Sequence, residues 1–203
     1  MTYIKQVFDV TTFDQAKHVV LTKDPDNPNK FDNETNYLVE KIADAISIKD
    51  TDTVLDFGCG MGRVSKKLIE QFNCNVIGMD ISDSMKTFAK LYVSSPQKFQ
   101  TTVQLPEANS IDTALAILVL QHVENPKQEI ENIVNSLKPN GYFILLNEDN
   151  RLVPSDVDKN NYIIWNNDNF NVFDEVEKHL TKIKSIPYIN SDKHIIIYKK
   201  ESN

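Results

Sequence analysis

Gly58-Cys59-Gly60-Met61-Gly62-Arg63 gathers three of the chain's five glycines into one turn. A composition that otherwise avoids backbone freedom concentrates it there, as a turn needs for positive φ or for close approach of a ligand to the backbone. Asp80 follows about twenty residues later, the position from which an acidic side chain at the end of a second strand reaches a ribose diol. A phosphate ligand fits the details poorly. The dinucleotide fingerprint places its third glycine where Arg63 stands, and the Gly-Lys-Ser/Thr ending of a phosphate-cradling loop is absent. The pattern suits a ligand with a sugar and an amino-acid tail, met by backbone at the glycines and by a carboxylate at the hydroxyls. The alternative for Asp80 is a helix-capping acid.

Further along, His122 stands at a strand-to-helix turn, where it is either a working base or a satisfied rim residue. Glu148 and Asp149 follow the fifth strand, in the crevice where open α/β sheets bind ligands; a solvated acidic loop is the other reading. Tyr162, Trp165, Phe170 and Phe173 form an aromatic group that suits either a lid over a substrate or a core.

These residues need a frame. Val54–Phe57 reads as a strand, and Val64, Leu68, Ile69 and Phe72 give the next helix its apolar face. Asn75–Asp80 is a second buried strand ending on an acidic residue, Ser82 or Asp83 caps a helix burying Met85, Phe88, Ala89 and Tyr92, and residues 99–103 make a weak third strand. Thr113–Leu120 is continuously apolar, as in a central parallel strand covered on both faces. Asn125-Pro126 opens a helix, Lys138-Pro139-Asn140-Gly141 turns the chain, and Tyr142–Leu146 is the next strand. Residues 150 to about 168 read as loop, followed by a helix carrying Phe173, Val176 and Leu180. Lys182–Ile189 and His194–Lys199 read as a terminal hairpin across Asn190-Ser191-Asp192. Ahead of all this, a helix from Asn33 to about residue 48 follows a polar arm or cap, residues 1–32, broken at Asp24-Pro25 and Asn27-Pro28. The expected fold is a doubly wound α/β sheet, Rossmann-like and mostly parallel, with an antiparallel element at its end.

The segments VLDFGCGMG, VIGMDIS, Ile111-Asp112 leading into LVLQHVENP, and LKPNGYFILL occur in order over roughly residues 50–147. Together they resemble the class I S-adenosylmethionine-dependent methyltransferases, of the small single-domain kind. The resemblance implies seven strands with the last antiparallel, S-adenosylmethionine as methyl donor and S-adenosylhomocysteine as product. By position it puts Asp56, Gly58 and Gly60 along the methionine end, Gly62 in the same cofactor-binding turn, Asp80 on the ribose and Ile81 on the adenine. Ala116 and Ile117 would pass beneath the methionine, and Gln121 and His122 stand where relatives often carry a pair facing the active site. An Asp that relatives use for the adenine amino group is replaced by Thr101, which leaves Thr102, Val103 or Gln104 to cover the ring. His122 and Glu148 are the candidates for removing a proton from an acceptor.

At 203 residues and 40% hydrophobic content the chain suits one domain with a sizeable core, residues 150–170 serving as a possible lid. A net charge of −7 and a pI near 5.1 argue against a general grip on nucleic-acid backbones. Cys59 and Cys74 suggest neither a disulfide framework nor a metal site, and the longest apolar run is too short to span a bilayer. The expectations are a cytoplasmic location, a small-molecule acceptor, no metal and no membrane partner. Two other classes stay open: a protein that binds the cofactor without turnover, and a nicotinamide oxidoreductase.

Overall fold

The computed structural model describes residues 2–22, 24–157, 162–189 and 191–202. Strands β1 (Thr53–Phe57), β2 (Asn75–Met79), β3 (Phe99–Thr102), β4 (Ile111–Ile117) and β5 (Leu137–Leu146) are parallel. Helices α3 (Arg63–Phe72), α4 (Asp83–Val93) and α5 (Pro126–Ser136) alternate with them, with α2 (Lys30–Ala43) ahead. After α6 (Val172–Glu177), β8 (Thr181–Pro187) pairs with β9 (His194–Lys199), and β9 runs antiparallel to β5. The seven-stranded order is β3-β2-β1-β4-β5-β9-β8, a mostly parallel sheet whose last strand is antiparallel.

Alternation along the strands explains the two layers. Val54, Val76, Leu115, Ile144 and Ile197 pack toward Leu38, Ile42 and Leu68 of α2 and α3, while Leu55, Ala114, Phe143 and Leu145 pack toward Ile130 and Ile133 of α5 and Val176 of α6. Strand order reverses between β1 and β4, so a crevice opens beyond their carboxyl ends, the usual ligand site of such sheets.

Four differences from the sequence expectations have physical causes. The arm contains α1 (Phe13–Val20), capped by the Thr12 hydroxyl accepting from Gln15 N and anchored by the fully buried Ala16. Its other residues are mostly polar, which hid the Phe13, Ala16, Val20 stripe. The stretch read as loop contains a hairpin of β6 (Val153–Val157) and β7 (Ile163–Asn166), whose pairs include Pro154 with Trp165. The expected turn at 138–141 lies inside β5: pairing jumps from Ile111↔Leu137 to Thr113↔Tyr142, so these residues loop out of the ladder, with Asn140 at φ 65°. Helix α2 ends at Ala43, about five residues early, in a turn where Ala45 N and Ile46 N both donate to Ile42 O. Of the expected terminal turn, Asn190 lies outside the described residues.

Candidate active site

The crevice between β1 and β4 is a cavity of about 650 Å³, within the range of small-molecule sites. Its floor is the glycine turn. Gly58 N and Cys59 N both donate to Met79 O, at 2.7 and 2.9 Å, which ties the loop after β1 to the end of β2. Gly58 and Gly60 have φ of 72° and 53°, and a Cβ on Gly60 would lie 2.5 Å from Val20 Cγ2 of α1. Backbone freedom and steric room are both needed at that position.

Asp80 sits where β2 ends. Its Oδ2 accepts from Gly60 N at 2.8 Å and its Oδ1 from Ser82 N at 2.9 Å. Burial raises its pKa, against the pull of those two amides. Each carboxylate oxygen keeps lone-pair capacity for a further donor. The Ser82 hydroxyl donates to Asp9 Oδ1 at 2.8 Å and also caps α4 through Met85 N. The segment ahead of α1 is thereby tied to the end of β2 beside Asp80.

Asp56, in the floor, accepts from the Ser65 hydroxyl at 2.6 Å. Burial pushes its carboxyl up to about 6, with Ser65 and the Arg63 charge opposing. The folded value exceeds the unfolded one, so the native state holds the extra proton between them. Stability from this group is fully present below about pH 4 and is lost as pH rises through about 6. At pH 7 the buried charge costs on the order of 3 kcal/mol. Asp56→Asn keeps an oxygen for Ser65 and is expected to raise Tm more at pH 7 than at pH 4.5. Scanning calorimetry showing equal shifts at both would contradict this.

At the other end stands His122, in a 3-10 turn (Leu120–His122) after β4. The turn follows Leu118, a non-glycine residue at φ 55°, a strained conformation of the kind concentrated at functional sites. His122 Nδ1 lies 2.8 Å from Leu152 O, and because a carbonyl only accepts, Nδ1 carries the proton and Nε2 the lone pair. Phe8 and Trp165 flank the imidazole at 5.8 and 5.6 Å between ring centroids. Burial lowers its pKa, with the Leu152 carbonyl and the Glu148 charge opposing.

Of the residues expected at the site, Asp56, Gly58, Gly60, Asp80, Ile81, Ile117 and His122 line this one cavity. Five others are elsewhere. Gly62 starts α3 and packs against Val93 and Ala89 of α4. Gln104 is exposed, its N–H bonded to Thr102 Oγ1, and its neighbour Val103 faces the cavity instead. Ala116 is fully buried in the layer beneath α5. Gln121 is buried behind His122, its Nε2 3.4 Å from His122 Nε2. Glu148 pairs with Lys193 Nζ at 3.3 Å and is not part of the cavity wall.

The sequence reading named residues 1–32 an arm or cap but none of the side chains with which they line the cavity. Tyr3, Phe8 and Val20 close the cavity from above. Ile4 N donates to Pro154 O at 3.1 Å, Thr2 N to Asp156 Oδ1 at 2.6 Å and Val10 N to Ser84 Oγ at 2.9 Å, so residues 2–10 form a strap from β6 to α4. Burial, then Glu124 and Asp80, push the Tyr3 phenol up to about 12. Thr12 followed by the Phe13, Ala16, Val20 spacing was the available signal for α1.

A family model described as a methyltransferase domain matches residues 27–202. The chain belongs to that family. Its methyltransferase domain is 29% identical over 149 residues to a ubiquinone biosynthesis O-methyltransferase of Rickettsia canadensis, an alignment covering 68% of this chain and 61% of the relative. The chain thus spans about three-fifths of that relative's length. A solved protein of Pyrococcus horikoshii superposes with a TM-score of 0.69 at 20% identity, covering 94% of this chain and 100% of the other. An S-adenosylmethionine dependent methyltransferase from Mesorhizobium loti gives 0.61 at 15%, covering 84% and 100%. At these identities the two structures establish the fold. Among the described residues no helix is long and apolar enough to cross a membrane.

Proposed function

We propose that this methyltransferase domain binds S-adenosylmethionine and directs its methyl group to a hydroxyl of a small molecule. The observation that carries the reading is that Asp80 after β2 and His122 after β4 line one roofed cavity, on either side of the glycine turn that follows β1. The residues present fit such a cofactor. Asp80 has unused acceptor capacity for a diol, and Gly60 presents bare backbone where a side chain would meet Val20. Ile81 and Val103, both largely exposed apolar side chains in the wall, suit an adenine face. Asp56 and Gly58 would lie along the methionine end.

When bound, the cofactor supplies an already activated methyl group. The chain has then to align the acceptor, exclude water and take up its proton. The strap at 2–10 and the hairpin of β6 and β7 supply the covering, and His122 Nε2, a neutral acceptor, takes the proton from the hydroxyl. The net charge of −7 and the roofed cavity favour a small acceptor over a polyanion. Two buried free cysteines suit the reducing cytoplasm. We read residues 1–203 as one domain, with the strap and the segment around 150–170 as walls of the acceptor site. Membership of the methyltransferase family gives no support to a nicotinamide oxidoreductase.

Asp80→Ala is expected to weaken S-adenosylhomocysteine binding by roughly ten- to a hundred-fold, the loss of a charge-assisted hydrogen-bond pair at about 1.5–3 kcal/mol. Isothermal titration calorimetry with unchanged affinity in the folded variant would sink the cofactor assignment. Wild-type protein that binds S-adenosylhomocysteine yet methylates no acceptor in a panel of phenols and alcohols would favour a binding protein without turnover.

A further inference from the structure

Gln121 lies with its side chain behind the cavity wall, against the His122 imidazole. It is 3% exposed, and its backbone is fixed on both sides: Gln121 N donates to Asn147 Oδ1 at 3.1 Å and Gln121 O accepts from Leu152 N at 2.9 Å. Its carboxamide points at His122, with Nε2 3.4 Å from the imidazole Nε2, while its Oε1 is buried with no hydrogen-bond partner among the described residues. A buried carbonyl oxygen without a donor costs free energy and calls for an explanation.

The chemistry of the imidazole supplies one. With Nδ1–H committed to the Leu152 carbonyl, neutral His122 can only accept at Nε2, so the Gln121 atom facing it must be the NH2 group. The oxygen is then left unpaired. Once Nε2 gains a proton the requirement inverts, because imidazolium can only donate. Turning the carboxamide over would present Oε1 to Nε2–H and form a charge-assisted hydrogen bond, the stronger kind. Neither orientation satisfies both ends of the amide, so the protonation state of His122 decides between them.

We propose that Gln121 is the positioning residue of His122, its carboxamide holding the neutral imidazole through NH2 and turning over to accept through Oε1 when Nε2 is protonated. In turnover the acceptor hydroxyl displaces the Gln121 NH2 from the single lone pair at Nε2, its O–H bond breaks, its proton forms the N–H bond at Nε2 with the electron pair staying on the oxygen, and Oε1 accepts from Nε2–H once the acceptor has left. In the resting protein the same proton comes from hydronium. The role in turnover rests on the reading of His122 as the base; the pairing itself does not. The other groups around the imidazole cannot substitute for the amide. Phe8 of the strap and Trp165 of β7 are uncharged, the Leu152 carbonyl is occupied by Nδ1–H, and Glu148 acts only at a distance while paired with Lys193. Tyr3, Lys5 and Glu124 line the same cavity but make no hydrogen bond to the ring among the described residues.

The test is a nitrogen-15 NMR titration of the four histidines, His122 being assigned by the signal missing in H122Q. Q121L, which removes the acceptor, is expected to lower the His122 midpoint by at least half a pH unit, about threefold in proton affinity. Q121E, which keeps an acceptor and adds charge, should raise it by more than one unit, at least tenfold. In the unsubstituted protein the Gln121 side-chain amide resonances should shift with the same midpoint as His122, a measurement that needs no variant to fold. Amide resonances that stay still through that midpoint, or a Q121L midpoint equal to wild type, would overturn the proposal. An acid limb of the pH–rate profile that ignores the shifted midpoints in both variants would leave the pairing standing and remove His122 as the base.

Discussion

His122→Ala is expected to lower turnover by about 10²–10⁴-fold, the usual size of a general base effect, while S-adenosylhomocysteine affinity stays within a factor of a few. The argument rests on what the imidazole touches. Its Nδ1–H is held by Leu152 O, its faces are flanked by Phe8 and Trp165, and it follows β4, which β1 separates from β2 and Asp80, so its loss should spare the cofactor end. Burial keeps it neutral near physiological pH, which is the state a base needs. Initial rates and calorimetry on the same preparation check this. Parallel loss of turnover and cofactor binding would point to a structural role, and unchanged turnover would assign the acceptor an amine or another nucleophile that needs only orientation.

Gly60→Val should cost S-adenosylhomocysteine binding at least about a hundred-fold, which is roughly 2.7 kcal/mol or more. Two effects add. A φ of 53° costs an L-residue roughly 1–2 kcal/mol, and more for a β-branched one. The new Cβ would also lie 2.5 Å from Val20 Cγ2, so α1 must lift or the glycine turn must move away from Asp80. Val20→Ala added to Gly60→Val relieves only the second effect. The double variant is therefore expected to recover part of the lost thermal stability but little of the affinity. A Gly60→Val protein that folds and binds with wild-type affinity contradicts the placement of the ligand over this turn.

The core of the fold was legible because each parallel strand is a short apolar run and each helix has one apolar stripe. The roof was not. Pro154 reads as a breaker, yet in β6 it needs no N–H of its own, and its carbonyl is the acceptor for Ile4 N. Helix α1 buries little more than Ala16 and Val20, too few residues to stand out in a polar arm. At the site itself, the resemblance could name a segment but not a face. Adjacent residues in extended chain point opposite ways, so of Ala116 and Ile117 only Ile117 meets the cavity, and in the bend after β3 Val103 meets it while Gln104 is held to Thr102. Gln121 and His122 also divide, one behind and one in the wall, because neighbours in a 3-10 turn lie about 120° apart. Glu148 was placed correctly at the end of β5, but nothing in the sequence announced that Lys193, from the β8–β9 connection, would draw it aside.

The position of β9 between β5 and β8 bears on how the protein is made. Strand β5 is complete at Leu146, yet the strand that covers its outer edge begins only at His194. At roughly 5–20 residues per second of synthesis, that edge waits several seconds for its partner. Throughout the wait Phe143, Ile144 and Leu145 form an apolar strand with unpaired backbone groups, the kind of surface that templates aggregation between nascent chains. The burden therefore falls on the speed with which β8 and β9 pair with each other and dock as a unit, and substitutions in their connecting turn should show first as lower soluble yield rather than as a weaker site.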